Sequence, residues 1–197
     1  VPVHLRDASD TWTALSLRAR IIVVSDAVKD GEISRIEDLA DPKWKGRICT
    51  RKGSHVYNRA LLASLIAHHG EEKAEAWAHS LVSNLARKPQ GNDRAQAKAI
   101  WAGECDIAIM NSYYFGKMKF NTKQPEQQDW AKALTLVFLN QADRGQHVNI
   151  SAGGIVKTSD NKQDAVAFLE WLTSDEAQQI YASVNYEYPV NPAVSAD

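Results

Sequence analysis

The apolar positions of this chain fall into short compact runs separated by longer periodic stretches. R-A-R-I-I-V-V-S, residues 18–25, is short and β-branched, which predicts a buried strand. R-I-C-T (47–50), C-D-I-A-I-M (105–110), L-T-L-V-F-L (134–139) and N-I-S-A-G-G-I-V-K (149–157) read the same way. Between them the apolar residues recur at helical spacing. N-R-A-L-L-A-S-L-I-A-H-H (58–69) predicts a helix ended by Gly70, and E-K-A-E-A-W-A-H-S-L-V-S-N-L (72–85) predicts another. D-R-A-Q-A-K-A-I-W-A predicts a third, with Asp93 as its cap and Gly103 at its end. D-A-V-A-F-L-E-W-L-T-S-D-E-A-Q-Q-I-Y (164–181) predicts one long amphipathic helix. I-S-R-I-E-D-L-A (33–40) predicts a short amphipathic helix, 41–46 a turn, and 116–132 helix plus loop. The closing Y-E-Y-P-V-N-P predicts irregular backbone. Short strands alternating with helices predict an α/β sheet, and such sheets hold ligands at the carboxyl ends of their strands. Two loops then stand out: R-K-G-S-H-V-Y after the second strand and N-S-Y-Y after the third.

Composition narrows the function. The chain has 197 residues, 44% hydrophobic and 24% charged, as in an ordinary soluble globular protein. A net charge of −1 gives no reason to expect nucleic acid or an anionic membrane surface as partner. No apolar run approaches the roughly 18 residues of a spanning helix, so direct membrane insertion is not expected. The chain opens V-P-V-H-L-R-D without Met, which reads as a mature or trimmed product. Glycine-rich nucleotide motifs and the G-x-S-x-G elbow are absent. Cys49 and Cys105 form no C-x-x-C, and spacing alone leaves both two buried thiols and one disulfide open. His68 and His69 diverge by about 100° on a helix, so a shared metal ion is the weaker reading and a solvated helix end the better one.

N-S-Y-Y-F-G, residues 111–116, carries the chemistry. Adjacent Tyr113 and Tyr114 fit neither the strand nor the helix period of a plain core. If the second and third strands are neighbours, Tyr57 joins them and three phenol oxygens converge. The ordinary alternative is that each hydroxyl takes one hydrogen bond at a half-buried site. A phenol ionises near pH 10, so only a strongly Lewis-acidic ion displaces its proton at neutral pH. Ferric iron does so; calcium and magnesium prefer carboxylates and carbonyls. A helix starting at Ser112 would favour the anion further.

Longer stretches turn this into a resemblance. D-L-A-D-P-K-W-K-G-R-I, H-V-Y-N-R-A-L-L-A-S, L-A-R-K-P-Q-G-N-D-R, G-E-C-D-I-A-I-M-N-S-Y-Y-F-G and H-V-N-I-S-A-G-G-I-V-K occur in this order, followed by S-D-E-A-Q-Q and N-Y-E-Y-P-V-N-P. Together they resemble the periplasmic ferric-ion-binding proteins of bacterial ABC importers. The resemblance implies an α/β, type II periplasmic binding protein architecture whose two lobes close on Fe³⁺. It implies Tyr57, Tyr113 and Tyr114 as metal ligands, and carbonate or bicarbonate as a synergistic anion. Arg18 is the matching anion residue, with Arg20 as the second choice. Ser54, Asn92 and Asn111 stand where other members place contacts to the anion or to the ligands. The partners implied are the ferric ion and an ABC permease, and the location is the periplasm.

Members of that family are about half again as long. The resemblance therefore implies a chain that begins near the first lobe-to-lobe crossing. Its second lobe, residues 26–140, would be complete, while residues 1–25 and 141–197 would be hinge segments and a remnant of the first lobe. A periplasmic home permits a disulfide, and neighbouring strands would bring Cys49 and Cys105 within reach. Two other functions stay open: a binder of a small anion or polyamine on the same fold, and an enzyme using tyrosine as general acid or base, for which no partner motif is present.

Overall fold

The computed structural model describes residues Val1–Ala196. The chain forms two compact units, one built from Val1–Arg18 with the segment from Val148 onward, the other from Ala19–His147. The second unit begins before residue 26 and ends after residue 140, so its bounds lie outside the expected 26–140 on both sides. The reason is β1 (Thr13–Val24), which is longer than its apolar run and belongs to both units. Its first half alternates between buried and half-exposed positions, whereas residues 19–24 are buried without a break. Alternation marks a strand covered on one face, and an unbroken run marks one covered on both.

In the second unit, β1 pairs antiparallel with β3 (Ile107–Asn111), with Ile22 opposite Ile109, and with β4 (Thr135–Val137). β2 (Ile48–Cys49) runs parallel to β3, Ile48 facing Ile107 and Cys49 facing Ala108, which gives the order β2-β3-β1-β4. Helices α1 (Val56–His69) and α2 (Glu71–Ser83) pack on each other. Residues of both join a core built on Ile22, Leu39, Trp44, Ile48, Leu65, Ile107 and Ile109. α3 (Asp93–Trp101) packs on β3, and α4 (Tyr113–Lys119) and α5 (Glu126–Lys132) pack together beside it. Cys49 and Cys105 form a disulfide with Cα atoms 6.0 Å apart, closing a 56-residue separation beside the parallel strand pair. Behind the core, Glu37 accepts from Arg144 Nη2 at 2.5 Å and Asn140 Nδ2 at 3.2 Å, and its Oε1 lies 2.7 Å from His69 Nε2. Burial opposes the Glu37 charge, but the hydrogen bonds from His69, Asn140 and Arg144 outweigh it and bring its pKa down to about 2.

In the first unit, β6 (Tyr188–Pro189) pairs with β1 at Ser16 and Leu17, and β5 (Val148–Gly153) also pairs with β1. Two helices follow β5: α6 (Lys162–Leu172) and α7 (Asp175–Ile180).

Four expectations are corrected. The long helix over 164–181 is broken at Thr173 and Ser174, because the Ser174 side chain accepts from Ala177 N and starts α7 afresh. The helix over 33–40 is a 3₁₀ turn over Ile36–Ala40. The strand expected over 149–157 ends at Gly153. Asp93 does not cap α3; Asn92 does, its Oδ1 accepting from Ala95 N at 3.1 Å, and Asp93 is the first helical residue, fully buried.

Candidate metal centre

Because β2 and β3 are parallel, their carboxyl ends share one sheet edge. The chain leaving β2 enters α1, whose second residue is Tyr57, and the chain leaving β3 enters α4, whose first two residues are Tyr113 and Tyr114. The Tyr57 and Tyr113 hydroxyl oxygens lie 3.1 Å apart. The rings of Tyr113 and Tyr114 lie 4.4 Å apart between centroids, tilted by 33°, and their side chains are hydrogen-bonded. Two parallel strands have thus gathered three phenols on the first turns of two helices, where the helix dipoles favour an anion.

Each ring also carries a cation. Arg51 Cζ lies 4.9 Å and Arg20 Cζ 5.7 Å from the Tyr57 centroid. Lys117 Nζ lies 5.2 Å from that of Tyr113, and Arg94 Cζ 5.1 Å from that of Tyr114. These contacts hold the rings and favour negative charge on them. Without a metal, Tyr113 is nonetheless pushed above the usual phenol range, by burial first and then by its hydrogen bonds to Tyr114 and Tyr57. The Tyr113 phenol therefore stays protonated at neutral pH until something strongly acidic replaces its proton.

Beneath the tyrosines lies a buried ionic group. Asp93 accepts from Arg20 Nη1 at 2.6 Å, from Arg51 Nη1 at 3.0 Å and from Asn111 N at 2.8 Å. Arg20 also donates to Asn111 Oδ1 at 3.1 Å and to Asn58 Oδ1 at 2.7 Å. Burial pulls the Arg20 guanidinium below its ordinary pKa, and Asp93 holds it up. His55 caps α1, its Nδ1 accepting from Tyr57 N at 3.2 Å, and its ring stands edge-on to Tyr57 with centroids 4.5 Å apart. Burial, then Arg51, lowers the pKa of His55, which favours the neutral ring the cap requires.

The structure brings together Tyr57, Tyr113, Tyr114 and Asn111. Asn92 is spent on its cap, and Ser54 stands exposed in the loop before α1. Arg18 lies in the first unit, where its Nη1 donates to Ser151 Oγ at 2.8 Å. Arg51, Asn58, Asp93, Arg94 and Lys117 were not expected at the site. One signal was available: Arg20 interrupts an apolar run, and an arginine buried there demands an acidic partner. Among the described residues no group of three or more His, Cys, Asp or Glu is placed to hold a metal ion.

Residues 2–197 match the family described as bacterial extracellular solute-binding protein. The chain belongs to this family. Within it, the chain is 47% identical over 191 residues to iron uptake protein A1 of Synechocystis, covering 96% of this chain and 53% of that protein. It is 32% identical over 190 residues to the major ferric iron-binding protein of Neisseria meningitidis, covering 95% and 55%. Among solved structures, a Trichodesmium protein (IdiA, FutA) in complex with iron and citrate superposes with a TM-score of 0.95 at 47% identity, covering all of this chain and 62% of that one. The ferric binding protein of Campylobacter jejuni superposes with a TM-score of 0.93 at 40% identity, covering 99% and 62%. The fold is therefore the type II periplasmic binding protein architecture, and this solute-binding chain spans about half the length of the curated relatives it matches.

Proposed function

We propose that this chain captures ferric iron through the phenolate oxygens of Tyr57, Tyr113 and Tyr114, beside a synergistic anion, and that in the periplasm it presents the ion to the permease of an ABC importer. It performs no catalysis. The observation that carries this reading is the convergence of three phenols, each with a cation on its ring, with Tyr113 among them held protonated without metal. Fe³⁺ is acidic enough to take the place of the protons, which leave as each Fe–O bond forms. Carbonate or bicarbonate balances part of the remaining charge, and we assign the exposed Ser54 hydroxyl as its contact within the second unit. The relatives described as iron uptake and ferric iron-binding proteins support the same ligand. Cations at all three rings weigh against a polyamine.

The test is an absorbance titration with a weakly chelated ferric salt, with and without bicarbonate. The expected result is a visible tyrosinate-to-iron band that saturates near one iron per chain and weakens in Tyr113→Phe and in Tyr114→Phe. No band in any of these conditions contradicts the proposal.

A further inference from the structure

The chain passes between its two units at Arg18–Ala19 and again at His147–Val148. Arg20 touches the second passage with its backbone. Its N–H donates to His147 O at 3.0 Å, and its carbonyl accepts from Gln146 Nε2 at 2.7 Å. Gln146 is itself held from the other side, its Oε1 accepting from Leu139 N at 2.6 Å. So one residue, just past the first passage, is bonded on both sides of its peptide to the residues that lead into the second.

The side chain of Arg20 points the other way in function. Its two terminal nitrogens reach Asp93, Asn111 and Asn58. Asn58 follows Tyr57 on α1, and its Nδ2 donates to Thr50 Oγ1 and Arg51 O, fixing the loop before that helix. Asn111 stands two residues before Tyr113, and its N–H is held by the same Asp93 carboxylate. The guanidinium also lies over the Tyr57 ring. At 3% exposure it has no water to exchange these bonds with. A planar guanidinium fork can meet three acceptors in fixed directions; an ammonium cannot.

We infer that Arg20 is the positioning residue of this site, tying both chain passages between the units to the relative placement of Tyr57 and the Tyr113–Tyr114 pair. This rests on the proposed iron-binding reading. It assigns Arg20 no contact with iron or anion. A shift of Gln146 or His147 moves the Arg20 backbone, the fork carries that shift to Asn58 and Asn111, and the distance between the phenol oxygens changes. Events at the passages thereby alter how tightly the triad holds its ion. A buried ion pair serving stability alone would have no reason to influence the ligand geometry.

The experiment compares wild type, Arg20→Lys and Gln146→Met. Without iron, tyrosines carrying ¹³C-labelled rings are followed by NMR, and thermal stability is recorded. With iron, the wavelength of the visible band and the rate of iron loss to excess EDTA are measured. Arg20→Lys is expected to move the Tyr57 and Tyr113 ring signals and leave those of Tyr181, Tyr186 and Tyr188 in place. It should also shift the band and speed iron loss about tenfold or more, as expected for losing charge-assisted bonds. Gln146→Met removes the bonds to the Arg20 carbonyl and from Leu139 N, and should speed iron loss roughly three- to tenfold, with a smaller fall in melting temperature than in Arg20→Lys. Unmoved ring signals and unchanged release in Gln146→Met, with wild type binding normally, would overturn the inference and leave the iron reading standing. No band in wild type would defeat the iron reading instead. The ring signals without iron would then decide the tie: moved signals sustain it and unmoved signals overturn it. If Arg20→Lys does not fold, Gln146→Met decides by the same readouts.

Discussion

Ile21, Ile22, Ile48, Ile107 and Ile109 of the second unit are at most 1% exposed, whereas Val166, Phe168 and Trp171 of α6 in the first unit are 45%, 58% and 43% exposed. α6 has no buried residue at all, and the buried apolar residues of the first unit are few and small: Ala14, Ala177 and Val190. Both units use amphipathic helices and short strands, so composition does not explain the contrast. Closure does. The second unit covers β1 on both faces and locks β2 with a disulfide. The first unit leaves Val166, Phe168 and Trp171 of α6 facing solvent. The tyrosines proposed as ligands stand on the unit with the closed core, where helix positions are fixed by packing, and precise sites require such rigid supports.

This contrast can be broken by mutation. Leu65→Ala empties space in the closed core and should cost about 2–5 kcal/mol in denaturant unfolding; a loss under 1 kcal/mol would mean that the core is looser than its burial indicates. Removing the disulfide with Cys49→Ser and Cys105→Ser together should cost about 2–4 kcal/mol. Hydrogen exchange should show the loss in β2 and β3 and not in β5 or α6. Glu37→Gln should cost about 1–3 kcal/mol by leaving His69 and Arg144 without their carboxylate. Its pH dependence has a definite sign. The Glu37 carboxyl titrates lower in the folded state, about 2 against an ordinary 4.5. Its contribution is therefore fully present above the ordinary value and is lost as pH falls toward 2. Acid unfolding of the Gln variant should lack that part of the slope. The smallest effect is expected at the open face: Phe168→Ser should change stability by no more than about 0.5 kcal/mol, as surface changes do, while reducing binding of a hydrophobic dye. A large loss at Phe168 would show that α6 is packed after all.

Much of the second unit was legible from local pattern. The compact β-branched runs, Gly70 and the periodic stretch over 58–69 carry their own signals, and β1, β3 and α1 follow from them. The tyrosine triad was legible only conditionally, since Tyr57 and Tyr113 meet because β2 and β3 are parallel neighbours, a pairing no local pattern states. Asp93 shows the limit. In sequence it looks like a helix cap, and in the fold Asn92 takes that task while Asp93 answers arginines 73 and 42 residues away. The break in the long helix had a local signal, Ser174 followed by Asp175 and Glu176, which is a fresh helix start inside an apolar period. The apolar spacing over 164–181 hid it.

The central claim is that three phenol oxygens hold one ferric ion. Crystals of the iron-loaded protein, measured on both sides of the iron absorption edge, test it most directly. The account predicts one anomalous peak within bonding distance of the Tyr57, Tyr113 and Tyr114 hydroxyl oxygens together. A peak elsewhere, or one bonded to fewer than two of these oxygens, would contradict it.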